Sequence, residues 1–85
     1  MSTVINESVS IAETDHGVVL LDERTGRYWQ LNRSGAVVLR ELLAGRTPRD
    51  AGAALAGAFP VSPEQAEADA HALLGRLREA GLLAA

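Results

Sequence analysis

The side chains able to do chemistry in this chain are few and far apart. The two histidines are His16, in the stretch Thr14-Asp15-His16-Gly17, and His71, in a run rich in alanine and leucine. Acid–base or nucleophilic catalysis needs titratable groups converging on one point, and neither histidine has a local set of partners. Glu67 and His71 are spaced to meet on one helical face, but two side chains fall short of the roughly three or four protein ligands of a zinc site. Their spacing describes a solvated pair. Ser8, Ser10, Ser34 and Ser62 sit in strand or cap contexts with no G-x-S-x-G around them, and the glycines form neither G-x-G-x-x-G nor a phosphate loop. With no cysteine, disulfides and thiolate metal sites are excluded, and a reducing compartment such as the cytoplasm fits best. The residues predict no enzyme, no cofactor and no metal.

Charge narrows the partners further. The net charge is -3, and the basic residues are all arginine, spread along the chain rather than massed in a patch. A phosphate backbone is a poor match. The start, Met1 to Glu7, lacks the basic and apolar regions of a signal peptide, and no apolar run approaches the ~20 residues of a membrane span. A soluble protein that binds neither nucleic acid nor membrane is expected.

The elements that must position any site divide the chain in two. Residues up to about 32 carry β-branched side chains and turn glycines, and the rest is rich in alanine, leucine and arginine. Val9-Ser10-Ile11 alternates as a short strand, Thr14 to Gly17 supplies a turn, and Val18 to Asp22 forms a second strand. A turn with Gly26 at positive φ leads to a third strand, Arg27 to Leu31. Asn32 or Ser34 caps a first helix whose Val38, Leu39, Leu42 and Leu43 share a face, and Gly45 ends it. Thr47-Pro48-Arg49-Asp50 has the cap, N1 proline and N3 carboxylate of a second helix start, stopped by Phe59-Pro60. Ser62-Pro63-Glu64-Gln65 predicts a capping box for a third, longer helix with the apolar stripe Ala66, Ala70, Leu73, Leu74 and Leu77, ending near Gly81. The expectation is one α+β domain over residues 1–85: a three-stranded antiparallel sheet (about 8–31) followed by three helices (about 33–81), winged helix-turn-helix-like. A winged helix that reads DNA has this outline, but the outward positions of its last helix would carry Glu64, Glu67, Asp69 and Glu79 against Arg76 and Arg78, and would repel phosphate.

Tyr28 and Trp29 are adjacent, in a chain with only one other aromatic, Phe59. Strand alternation sends them to opposite faces. One then packs toward the helices. The other is either an incidental surface ring or, if the third strand is an edge, one wall of a groove completed by the last helix.

The run Val18 to Asp22, Thr25-Gly26-Arg27-Tyr28-Trp29-Gln30-Leu31-Asn32, Ser34-Gly35-Ala36 and the ending Leu77-Arg78-Glu79-Ala80-Gly81-Leu82-Leu83 resembles the PqqD-like recognition elements of pathways that modify ribosomally made peptides. The resemblance implies non-catalytic binding of a precursor's leader segment, antiparallel to the third strand. It implies contacts from Arg27, Tyr28, Trp29, Gln30 and Leu31 on the strand, and from Asp69, Ala70, Leu73, Leu74 and Leu77 on the last helix. The free-standing chain is most similar to the discrete leader-binding proteins of lasso-peptide biosynthesis, whose partners would be the leader, a leader peptidase and an ATP-dependent lasso cyclase. A partner of a radical-SAM peptide maturase, as in pyrroloquinoline quinone synthesis, would use the same groove. An open edge is also able to pair with its own copy, giving a homodimer through the third strand.

Overall fold

The computed structural model describes residues 3–84. Its elements follow the order β1 (Val9–Thr14), β2 (Gly17–Asp22), β3 (Tyr28–Asn32), α1 (Arg33–Leu43), α2 (Pro48–Ala58) and α3 (Pro63–Glu79). The strands form one antiparallel sheet in the order β1-β2-β3, an α+β fold with the helices on one face. No helix among the described residues is long and apolar enough to cross a membrane.

Alternation along β2 sets the two faces. Val18 and Leu20 are buried under the helices, while Leu21 is exposed on the far side. β1 runs three residues further than its alternating segment predicts, because its main chain pairs with β2 as far as Thr14 opposite Gly17. Gly17 belongs to the strand rather than to the turn. Its φ is +145°, and a Cβ there would meet the Leu31 carbonyl oxygen at 1.9 Å, so only glycine fits.

The helix starts follow the sequence closely. The Asn32 side chain, not that of Ser34, caps α1 by accepting from the Gly35 N–H at 2.9 Å. Thr47 and Asp50 form the reciprocal capping box of α2. At α3 only half of the expected box forms: Ser62 Oγ accepts from the Gln65 N–H at 3.2 Å, but the Gln65 amide turns away and donates to Asp69 at 2.8 Å. α3 ends in a Schellman pattern, with the Gly81 N–H on the Arg78 carbonyl and the Leu82 N–H on the Leu77 carbonyl, which folds Leu82 back into the core.

The core joins Leu20 to Leu39 and Leu42 of α1, Ala51 and Leu55 of α2, and Ala66, Ala70, Leu73 and Leu77 of α3. α2 and α3 approach closely at Gly52, where a Cβ would stand 2.7 Å from the Glu67 backbone. Asp22 is the one buried charged side chain among the described residues, at 2% exposure. It accepts from Nε and Nη2 of Arg24, both at 3.2 Å, and Arg24 Nη2 also donates to the Gly81 carbonyl at 3.3 Å, tying the β2–β3 turn to the end of α3. The N-terminal segment lies along the C-terminal one: Ile5 bridges Leu83, and the Ala84 N–H donates to the Val4 carbonyl at 2.8 Å.

Candidate functional site

β3 is an edge strand, and its pairing with β2 decides which of its main-chain groups are open. The Asp22 N–H donates to the Arg27 carbonyl at 2.9 Å. Because N–H and C=O of one residue point to the same side of an antiparallel strand, Arg27, Trp29 and Leu31 face β2, and Tyr28 and Gln30 face outward. Side chains divide the other way. Trp29 lies opposite the buried Leu20 and turns toward the helices, half-buried, while Tyr28 lies opposite Leu21 on the far face and is 66% exposed. The groove wall is therefore the half-buried ring, and the exposed ring points away from it.

Across from the open edge runs α3. No Cα of β3 comes within 8 Å of a Cα of α3, so the two backbones leave a gap between them. Within it is a hollow of about 280 Å³, walled by Trp29, Gln30 and Leu31 on the strand side and by Leu73, Arg76 and Leu77 on the helix side. A second hollow of about 200 Å³ continues toward the start of α1, bordered by Asn32, Gly35, Val38, Asp69 and Ala72. Leu73 and Arg76 border both. The Arg27 guanidinium sits 5.2 Å from the Trp29 ring centroid, a cation–π contact that fixes the ring's outer side.

The structure thus brings most of the sequence-derived set together and separates two members from it. Arg27 lies beside the ring, Trp29, Gln30 and Leu31 line the strand wall, and Tyr28 contributes main-chain groups to the open edge. Leu73 and Leu77 are core residues that also form the groove floor, and Asp69 borders the second hollow. Ala70 is fully buried behind the floor. Leu74 borders neither hollow; at about 100° per residue it falls on the stripe of Glu67, the one pressed against α2. The spacing of 69, 72, 73, 76 and 80 marks the helical face that does look into the groove, so Ala72, Arg76 and Ala80 join the set, with Leu82 placed there by the turn after α3. That stripe is visible in the sequence but is interrupted by charge, which is why the purely apolar stripe hid it.

No group of three His, Cys, Asp or Glu converges among the described residues. His71 pairs with Glu67 at 3.6 Å, both side chains partly open to solvent. The groove itself offers an open main-chain edge, an apolar floor and a rim of exposed charges. Its hollows are smaller than the ~300 Å³ at which cofactor-sized pockets begin, and they suit single side chains.

Comparison with known proteins agrees with this geometry. A search of the curated proteins returned no match. Among solved structures, one described as "Lasso peptide synthetase B1 complexed with the leader peptide" is 38% identical, with all of both chains covered and a TM-score of 0.90. Another, "TbiB1 in Complex with the TbiA(beta) Leader Peptide", is 30% identical over 94% of this chain and 93% of that one, with a TM-score of 0.81. The family described as "Coenzyme PQQ synthesis protein D (PqqD)" matches residues 17–83, and the chain belongs to that family.

Proposed function

We propose that this protein is a non-catalytic leader-binding domain of a lasso-peptide pathway, which takes up the leader of a precursor peptide as a fourth strand beside β3 and delivers it to a leader peptidase and a lasso cyclase. The observation that carries the reading is the open edge at Tyr28 and Gln30 facing an apolar hollow across a gap from α3. An added strand would lie about 4.8 Å from β3 and occupy that gap. Both similar structures are described as complexes with leader peptides, which supports the same use of the groove here.

The energetics assign separate tasks to strand and helix. Ordering a disordered segment costs about 1–2 kcal/mol per residue, while each net hydrogen bond returns about 0.5–1.5 kcal/mol. Strand pairing alone roughly breaks even. Affinity comes from side chains seated against Trp29, Leu73 and Leu77, where burying about 100 Å² of apolar surface contributes ~2.5 kcal/mol. Main-chain pairing accepts many sequences, and the hollows choose among them.

Titration with the leader peptide of a lasso precursor tests the reading. Trp29 is the sole tryptophan and stands in the groove wall, so its emission should shift as a labelled leader gains polarisation. Saturable leader binding with no change in Trp29 emission would place the site elsewhere. A concentration-dependent dimer dispersed by leader would show that copies of the chain compete for the same edge.

A further inference from the structure

Arg76 is the charged side chain at the middle of the groove, since it borders both hollows together with Leu73. Most other arginines are engaged: Arg24 with Asp22, Arg40 with Glu13, Arg46 with Glu41, Arg33 with the Asp15 carbonyl, and Arg27 over Trp29. Among the described residues Arg76 makes no side-chain hydrogen bond or ion pair, although Glu79 borders the first hollow and Asp69, which accepts from Gln65, borders the second. Arg49 and Arg78 share that condition but border neither hollow. The opposite wall, Tyr28 to Asn32, carries no charge at all, so no anion of the strand faces the guanidinium.

An incoming strand would displace water from around this guanidinium and surround it with the apolar floor of the groove. A charge enclosed in that way is penalised unless the occupant supplies an acceptor. The planar fork of arginine matches a carboxylate in a bidentate pair better than it matches any neutral group. We infer that Arg76 selects the charge of the bound segment, and that leaders accepted here place an aspartate or glutamate between the two side chains seated in the hollows. This inference rests on the leader-binding reading and adds a specificity to it.

A displayed library of random linear peptides, selected separately on wild-type protein, Arg76→Gln and Arg76→Glu, tests it. Arg76 is exposed, and circular dichroism checks that each variant keeps the fold. Wild type should enrich Asp or Glu at one position, Arg76→Gln should lose that preference, and Arg76→Glu should replace it with Lys or Arg. A selected peptide with that acid changed to its amide should bind wild type about tenfold more weakly and Arg76→Gln equally well. Enrichment without a charge preference, or a preference that persists in Arg76→Gln, overturns the inference and leaves strand addition standing; it would mean that a main-chain carbonyl satisfies the guanidinium. Failure of folded wild-type protein to enrich any peptide would remove the leader-binding reading as well.

Discussion

The sheet has two edges, and they are treated differently. β1 carries an inward-pointing charge, Glu13, opposite the buried Val18 and paired with Arg40 of α1, and neither hollow of the groove borders it. β3 carries no charge and has α3 beyond its open side. An inward charge on an edge strand deters further pairing, because an added strand would enclose it. The contrast shows that an exposed edge alone does not make a docking site. It becomes one where a neighbouring element supplies apolar surface and the strand itself carries nothing that repels.

The largest effect should come from proline placed on the two open edges. Gln30 directs its N–H outward, so Gln30→Pro leaves the β2–β3 ladder intact but removes a donor and inserts a ring where the leader would lie. Leader affinity should fall about 100-fold, which combines the lost bond with the steric block. The equivalent change on β1 is Ile11→Pro, since pairing directs Ser10, Ala12 and Thr14 to β2 and Ile11 outward. Affinity there should stay within about twofold by fluorescence polarisation, as for a distant surface site. Equal losses in both variants would mean that the edges are not distinct.

Next in size is Trp29→Ala, which removes the wall of the larger hollow. Loss of roughly 60 Å² of contact predicts about 1.5 kcal/mol, or ~tenfold in affinity, measurable by calorimetry with a thermal melt as a check on folding. Leu74→Glu separates groove from core on the same helix. It should lower the melting temperature by several degrees, as a destabilisation of about 1 kcal/mol does in a domain of this size, while leader affinity holds. Glu13→Val sharpens the comparison from the other side: with its inward charge gone, β1 should promote concentration-dependent self-association, seen by light scattering.

The smallest effect concerns both edges equally. The Arg24 guanidinium beside Asp22 holds its carboxyl below the ordinary value of 3.8. The native state therefore binds that proton less readily than the unfolded chain does, and the contribution to stability is full above pH 3.8 and is lost as pH falls through the lower native value. Urea midpoints of wild type and Asp22→Asn should converge as the pH is lowered through that window. A gap that stays constant would assign the role of Asp22 to shape rather than charge.

Much of the fold was legible because its signals are local. Thr47-Pro48-Arg49-Asp50 carries a complete helix start within four residues, and Asn32 before Ser34 and Gly35 does nearly the same. What escaped depends on where distant elements land. Alternation separates Tyr28 from Trp29, but only the register that places Leu20 opposite Trp29 decides which ring turns inward. The face of α3 that borders the groove is set by the position of β3, which the helix's own apolar stripe does not encode, so the stripe points to Leu74 and not to Arg76. The Gln65 amide likewise has two competing partners, the Ser62 N–H as a donor and the Asp69 carboxylate as an acceptor, and it donates to Asp69 one turn along.

The hydrogen bonds from Asn6 to Leu82 and from Ala84 to Val4 bring the first and last described stretches of backbone side by side, next to the end of the groove that Leu82 borders. A chain so arranged tolerates circular permutation: a short flexible linker would join these stretches, and new ends opened between α2 and α3, near Pro60, would leave β3 and α3 covalently whole. Such a permuted domain would carry a tag or a fused enzyme at the α2–α3 connection without lengthening either wall of the cleft.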